Sequence, residues 1–195
     1  MDNFLTKLQN GKYVEKSEDN KYRFLYVEEI SDSSIDRNGV LTFVLLNPSV
    51  AGSTAESDST IDRVRKLVKF YRKDDKSGYK YFAVINVYSI IKTNVKNKKC
   101  FEDLKDDIKN ENFKFIENYV AENEDNNVYV LAYGTKAIQK DINKVRKLLK
   151  GKTLTTFFSE FSKDGRPLHL LARKKVYSED GSLHLYKIDE LEKKK

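Results

Sequence analysis

The sequence predicts an α/β fold in which helices cover both faces of a mostly parallel sheet. Apolar runs typical of buried strands alternate along the chain with segments whose apolar residues recur every three or four positions, as in helices. The run "LTFVLLN" at 41–47 is apolar almost throughout, as a strand covered on both faces must be. No repeat or Pro- and Gly-rich linker divides the 195 residues, so we expect one domain, with its core at about 22–188 and a short charged C-terminal tail.

The predicted elements alternate along the chain. Strands are predicted at 22–30, 41–47, 79 to about 86, 127–134 and 153–162. Helices are predicted at 60–73, at about 100–122 and from Ile138 to Leu149, where apolar residues keep helical spacing. Asp58, Ser59 or Thr60 is available to cap the first helix.

The composition limits the classes of function open to the chain. Its 37 Lys and Arg against 30 Asp and Glu give a net charge of +7, which favours a polyanionic partner such as nucleic acid. One Cys and two His cannot supply a disulfide or a convincing zinc or iron–sulfur ligand set, so we expect no cofactor. No apolar run reaches the roughly 20 residues of a membrane helix and no signal-peptide pattern opens the chain, so we expect a cytoplasmic protein.

Four positions are expected to meet at one edge of the sheet. Asn47, Asn86 and Gly134 each follow a predicted strand, and a fourth strand leads to His169. Ligands of parallel sheets bind outside the carboxyl ends of the strands, so a site is expected at this edge. Taken singly, each position has a structural interpretation: Asn-Pro-Ser is a common turn, and a lone His is often a core residue. Their coincidence at one edge favours a functional site.

The sequence lacks several catalytic and nucleotide-binding motifs, which limits the reactions that it predicts. The sequence holds no P-loop, no G-x-G-x-x-G after a strand and no G-x-S-x-G nucleophile elbow. Asp58 is the only carboxylate close in sequence to the expected edge, which disfavours a two-metal nuclease. A hydrolase with Ser49 as nucleophile and His169 as base stays open, although no motif supports it.

The segments "LLNPS", "INVYS", "VLAYGTKA" and "GRPLHLL" resemble, in this order, the motifs of the uracil-DNA glycosylase superfamily. The resemblance implies a three-layer α/β/α sandwich. It also implies that Asn47 positions the attacking water, that Asn86 reads a flipped base, and that Tyr133 stands where the family has Trp. The family motif H-P-S-P is altered here to "HLLA", which keeps His169 but has Leu170 in place of the proline.

A closer resemblance is to a poorly characterised bacterial and phage family with the motif order R-Y, L-N-P-S-x-A, D-x-T-I, N-L-F, W-G and G-x-P-x-H-P-L. The corresponding segments are "YRF", "LNPSVA", "DSTI", "NVY", Tyr133-Gly134 and "GRPLHLL", which together span about 22–172. Related bacterial glycosylases remove hypermodified cytosines from phage DNA. The resemblance therefore implies antiviral base excision.

These features lead to the hypothesis of a monomeric, monofunctional DNA glycosylase that flips a damaged or modified base and hydrolyses its N-glycosidic bond. His169 would donate a hydrogen bond to the base, and Asn47 would orient water. Base recognition is assigned to Asn86, Tyr88, Tyr133 and Ser49, and DNA binding to Arg63, Arg65, Lys163, Arg166, Leu170, Arg173 and Lys174. Leu170 or its neighbour Leu171 would wedge into the vacated stack. The main alternative is a protein that binds a nucleotide or signalling nucleotide in the same pocket without turnover.

Overall fold

A computed structural model describes residues 4–30, 39–49, 59–74, 79–92, 95, 97–123, 127–172 and 183–193. The strands are β1 (Lys12–Lys16), β2 (Arg23–Glu29), β3 (Gly39–Leu45), β4 (Tyr79–Asn86), β5 (Asn127–Leu131), β6 (Thr153–Thr156) and β7 (Tyr186–Lys187). The helices are α1 (Ser59–Asp74), α2 (Lys99–Glu102), α3 (Asp106–Glu122), α4 (Gln139–Leu148) and α5 (Ile188–Glu192), and a 3-10 turn covers Phe4–Lys7. None of these helices is both long and apolar enough to cross a membrane.

The strands form one mixed sheet in the order β1-β2-β4-β3-β5-β6-β7. Its central strands β4, β3, β5 and β6 run parallel to one another, whereas β1, β2 and β7 pair antiparallel with their neighbours. The α/β class and the parallel centre of the sheet are therefore confirmed. The edge strands β1 and β7 were not predicted, because they are short and their side chains are half-buried or exposed, which leaves little hydrophobic pattern.

The direction of the crossovers places helices on both faces of the sheet. The chain moves from β3 through α1 to β4 on one side, and then crosses back over β3 to β5 and β6 on the other. Right-handed crossovers that run in opposite directions put their helices on opposite faces. Accordingly, Ile61 and Leu67 of α1 pack on one face, and Ile116 of α3 and Val145 of α4 pack on the other. The direction reverses between β3 and β5, and such switch points form ligand-binding crevices.

The helix predicted at about 100–122 is interrupted. Helix α2 ends at Glu102, and α3 begins at Asp106 after Lys105, whose extended backbone (φ −56°, ψ 143°) leaves the helical path. Two aspartates in the first turn of α3 favour a helix start there, because negative charge is stabilised at a helix N-terminus. Apolar spacing does not reveal the break, since Phe101 and Ile116 on the two sides of it pack in the same core cluster.

The C-terminal segment packs against the domain rather than extending as a charged tail. Ile188 and Leu191 of α5 are buried, and the guanidinium of Arg146 on α4 donates to Glu192 at 2.8 Å. Ile188 and Leu191 lie three positions apart, as on one face of a helix, but the many charged residues of "DELEKKK" around Leu191 make this pattern weak in the sequence. The predicted core therefore extends through α5.

Candidate functional site

A cavity of about 420 Å³ lies at the carboxyl ends of β3 and β5. Its volume falls within the roughly 300–1,000 Å³ that small-molecule sites occupy. The lining comes from the segments that follow the four parallel strands and from the first turn of α1. The lining residues are Leu46, Asn47, Ser49, Ser59, Thr60, Lys92, Val95, Tyr133, Gly134, Thr135, Lys136, His169, Leu171 and Ala172.

The cavity brings together most of the positions that were expected to meet at this edge. Asn47, Gly134 and His169 all line it, and so do Ser49 and Tyr133. Three chain segments that follow separate parallel strands therefore meet at one site. This meeting is what a parallel sheet predicts, because the carboxyl ends of its strands lie at one edge.

Asn47 joins the segments that follow β3 and β4. Its Nδ2 donates to the carbonyl oxygens of Pro48 at 2.9 Å, Lys92 at 2.7 Å and Ile90 at 3.5 Å. The N–H of Lys92 donates back to the carbonyl of Pro48 at 2.9 Å. Because both amide hydrogens of Asn47 are directed at backbone carbonyls, its Oδ1 is the atom left to accept a hydrogen bond from a ligand.

Asn47→Asp is expected to destabilise the protein more than Asn47→Ala does. A carboxylate in this place would face carbonyl oxygens with no hydrogen to donate, at a cost of roughly 1–3 kcal/mol. Urea unfolding of the two variants measures the difference. Asn143→Asp is the matched control, because Asn143 is exposed on α4 and its Oδ1 already acts as an acceptor, from Gln139. Equal stability of Asn47→Asp and wild type would contradict the carbonyl contacts.

His169 is held as a neutral imidazole. Burial lowers its pKa, and the positive charge of Lys136 lowers the pKa further. The backbone N–H of Leu171 donates to its Nδ1 at 3.2 Å. Because Nδ1 accepts, the proton of the neutral ring resides on Nε2. His169 therefore offers an Nε2–H donor to a ligand of the cavity without carrying a charge.

Gly134 allows the segment after β5 to approach His169 closely. Its φ of +70° lies in the left-handed region, and a Cβ added to it would lie 3.0 Å from the Cβ of His169. Only glycine satisfies both conditions without strain. The glycine in "LAYGTKA" is therefore explained by the position of the histidine in "RPLHLL".

The chain matches a protein family described as "Protein of unknown function (DUF1643)" over residues 28–171. This chain belongs to the DUF1643 family. The matched region contains all the described residues of the cavity lining except Ala172. No curated protein sequence matches the chain.

Tyr133 is the aromatic residue that this DUF1643 protein places at the cavity, whereas Tyr88 lies in the core. The hydroxyl of Tyr88 donates to Asp141 at 2.9 Å and accepts from the N–H of Ile138 at 2.9 Å. Its ring stacks on Phe101 with 4.0 Å between centroids. Tyr88 thus joins the end of β4 to the start of α4, and the structure does not bring it to the predicted base-binding position.

Asn86 is buried, with 1% of its surface exposed. Within the described part of the chain, neither its Nδ2 nor its Oδ1 has a hydrogen-bond partner, and Asn86 is not among the residues that line the cavity. Asn86 pairs with Leu45 in the parallel ladder between β4 and β3. The next residue after Leu45, Leu46, lines the cavity. Unpartnered buried amides are uncommon in folded proteins and call for a ligand, water or functional explanation. The assignment of Asn86 to base recognition stays a prediction.

Arg65 is engaged within the chain rather than presented to solvent. Its guanidinium donates to both carboxylate oxygens of Glu28 at 2.8 Å, to Asp62 at 2.6 Å and to the hydroxyl of Tyr26 at 2.9 Å. Burial raises the pKa of Glu28, but hydrogen bonds from Arg65 and Tyr26 outweigh it and hold that pKa below its ordinary value. This network anchors α1 to β2, in place of the predicted DNA contact.

Arg65→Met is expected to lower the free energy of unfolding by roughly 1–2 kcal/mol, because it leaves the half-buried Glu28 without its cation. Lys66→Met is the control, since Lys66 is the exposed neighbour on the same helix. Chemical denaturation compares the two variants. If both variants kept wild-type stability while Arg65→Met weakened DNA binding, the predicted DNA contact would replace the structural role.

Arg166 and Leu170 were also predicted to bind DNA, but both make contacts within the protein. The guanidinium of Arg166 donates to the carbonyl oxygens of Thr135 and Ala137, each at 2.8 Å, so it fixes the segment after β5. Leu170 is 1% exposed and packs in the core on the α1 face, which excludes it as a wedge. Leu171 takes the position expected of a wedge: it is 50% exposed and lines the cavity.

The other residues predicted to bind DNA either reach the protein surface or lie outside the described residues. Arg63 is half-exposed on α1, and Lys163 is exposed in the turn before Arg166. Arg173 and Lys174 lie outside the described residues.

Sequence reasoning missed the two lysines of the cavity. Lys92 and Lys136 lie in the segments after β4 and β5, and Lys136 follows Gly134 by only two positions. That proximity to a predicted strand end was the available signal. None of the described lining residues is a carboxylate, and no three His, Cys, Asp or Glu side chains of the described part of the chain are grouped as a metal site requires.

Proposed function

We propose that this protein is a monofunctional DNA glycosylase, which hydrolyses the N-glycosidic bond of a damaged or modified base flipped into the cavity. The observation that carries the proposal is that His169, neutral and with its proton on Nε2, and Asn47, whose Oδ1 is left to accept, both line the cavity. A uracil-DNA-glycosylase-like α/β/α sandwich is part of the proposal. The packing of α1 on one face of the sheet and of α3 and α4 on the other supports it.

The proposed reaction breaks the bond between C1′ of the sugar and the nitrogen of the base. The bonding electrons leave with the base, negative charge develops on it, and His169 stabilises this charge by donating its Nε2–H to a base oxygen. The oxygen of water then bonds to C1′, and one water proton is released to the departing base or to solvent. Asn47 is a neutral amide that can orient the water through Oδ1 but cannot take its proton, which suits a dissociative reaction in which water acts late.

The charge distribution supports DNA as the partner. Between residues 127 and 172 the chain has nine Lys and Arg against three Asp and Glu, so this segment carries most of the net charge of +7. The segment includes the β5 side of the cavity and the His169 region. A cationic surface around the cavity would attract the phosphates of DNA. Modified bases of phage DNA are the proposed targets on the resemblance described above.

Leu171→Ala is expected to slow excision from duplex DNA about tenfold while changing excision from single-stranded DNA little. An apolar side chain that enters the base stack offsets part of the cost of flipping, and a single strand has little stack to fill. Single-turnover rates on matched duplex and single-stranded substrates measure this. Leu185→Ala, at a half-buried leucine outside the cavity lining, controls for loss of a leucine side chain. An equal loss on both substrates would exclude the wedge.

The proposal is tested by incubating the protein with duplexes that contain damaged bases or the modified cytosines of phage genomes, followed by alkaline cleavage of abasic sites. Strand breaks at one class of base, absent for Asn47→Ala and His169→Ala, are the expected result. No breaks on any substrate, together with phage-infection phenotypes of both variants equal to wild type, would overturn it.

A second candidate is a protein that binds a nucleotide without turnover. It is favoured by the absence of carboxylates from the described cavity lining, which leaves no strong base there to activate water. A nucleotide that raises the Tm and is recovered intact would support it. A hydrolase with a Ser49 nucleophile is not supported, because the buried Oγ of Ser49 has no hydrogen-bond partner among the described residues, which include His169.

A further inference from the structure

We propose that the part of the cavity between Lys92 and Lys136 is a phosphate-binding subsite, which holds a phosphoryl group of the nucleotide whose base enters the cavity. The proposal deepens the proposed function and rests on it in taking the ligand to be a nucleotide. It adds two residues that no DNA-binding motif of the sequence indicated.

The charge of the described cavity lining is one-sided. Lys92 and Lys136 both line it, and none of the described lining residues is a carboxylate that would neutralise them. Two cations on one cavity without a counter-charge favour an anionic ligand. The compact ammonium group of lysine is a common ligand of phosphate.

Contacts of the cavity wall hold the backbone of Lys92 and the ammonium group of Lys136. The backbone of Lys92 donates to the carbonyl of Pro48 at 2.9 Å and accepts from Nδ2 of Asn47 at 2.7 Å. The Nζ of Lys136 donates to the carbonyl of Val95, another lining residue. Within the described residues, the ammonium of Lys136 uses one of its three hydrogens in this way, which leaves two for a ligand.

Hydroxyl groups supply further donors around the lysines. Ser59, Thr60 and Thr135 line the cavity, and the buried hydroxyl of Ser49 has no partner among the described residues. Each oxygen of a phosphoryl group accepts several hydrogen bonds, so hydroxyls and ammonium groups together match it. A nucleobase alone would leave much of this donor capacity unused.

The subsite is tested by following the C2–H resonance of His169 during pH titration, with and without inorganic phosphate. The chain has two histidines, so His184→Ala assigns the resonances. Phosphate bound near His169 is expected to raise its pKa, because negative charge stabilises the imidazolium form. Deoxynucleoside 5′-monophosphates should do the same, and the matching deoxynucleosides, which lack the phosphate, should not.

Lys92→Met and Lys136→Met should each weaken binding of the monophosphates about tenfold or more, the effect of losing one charge-assisted hydrogen bond. Lys140→Met is the matched control, because Lys140 is an exposed lysine on α4 that does not line the cavity.

The phosphate could come from the DNA backbone or from a free nucleotide, and a single-stranded oligonucleotide without terminal phosphates distinguishes these two sources. If the DNA backbone occupies the subsite, each cavity variant lowers the salt dependence of oligonucleotide binding by about one unit of slope. If a free nucleotide occupies it, only monophosphate binding changes.

No effect of phosphate, monophosphates or oligonucleotide on the His169 titration, or equal binding by the cavity variants and Lys140→Met, would overturn the subsite. Failure of the subsite and failure of the proposed function are distinguishable. Phosphate binding without base excision keeps the subsite and rejects the glycosylase, whereas full excision together with wild-type monophosphate binding by Lys92→Met and Lys136→Met keeps the glycosylase and rejects the subsite.

Discussion

Replacing His169 by Ala is expected to slow base excision by about 10²- to 10³-fold, the loss typical of one donor that stabilises developing negative charge. The fold should persist, because the described hydrogen bond of the ring is a single one, accepted from the N–H of Leu171. Single-turnover excision measures the rate, and thermal unfolding checks the fold. His169→Gln should recover part of the loss, since its amide can also donate.

The pH dependence separates a donor role from a structural one. Because the pKa of His169 is lowered, excision should be constant near neutrality. As pH drops through that lowered pKa, the proton added at Nδ1 conflicts with the N–H of Leu171 and displaces the ring, so excision should fall. The unfolded histidine binds its proton first, near pH 6.5, so stability should also fall as pH drops from about 6.5 towards the folded pKa. His184→Ala, the change of the other histidine, should keep both profiles. Wild-type rates for His169→Ala would contradict the donor role.

Replacing Gly134 by Ala is expected to slow excision by about 10²-fold and to lower the free energy of unfolding by about 1–2 kcal/mol. The loss of stability follows from a side chain at φ +70°. The loss of rate follows from the added Cβ, which would lie 3.0 Å from the Cβ of His169 and displace the imidazole. A shift of about 1 Å in a catalytic group can cost a factor of this size.

Gly151→Ala is a matched control for this replacement. Gly151 has a φ of +82°, but apart from its chain neighbours no heavy atom of the described residues lies within 4 Å of the position that a Cβ would take there. It should therefore lose similar stability and keep the full excision rate. If Gly134→Ala and Gly151→Ala lowered the rate equally, the contact with His169 would have no functional consequence.

The parallel centre of the sheet and its ligand-binding edge were predictable because they depend on patterns that extend over many residues. The apolar runs of β3, β4 and β5 and the helical spacing of α1 and α4 each give a strong signal. Asn47 and Gly134 follow from counting to the ends of these strands, and His169 comes after a fourth predicted strand. Their meeting at the cavity is a property of the topology.

The direction and partners of single side chains were less predictable. The sequence predicts that Arg65 lies on a positively charged helix face. Its partner Glu28 lies on β2, far away in sequence, and the helical pattern does not predict this contact. Leu170 and Leu171 are adjacent and chemically identical, so only the packing of the segment decides which one is buried. Arg166 likewise binds carbonyl oxygens of a segment about thirty positions away.

The hydrogen bonds around the cavity divide its wall into two units. Arg166 and the close approach of Gly134 and His169 join the segments after β5 and β6. Asn47 joins the segments after β3 and β4. Within the described residues, the bond from Lys136 to the carbonyl of Val95 connects the two units at the cavity wall, and the buried Tyr88 connects them through Ile138 and Asp141. Widening the cavity to admit a base would therefore break the Lys136 bond, whereas the contacts of Tyr88 would keep the two units joined in the core.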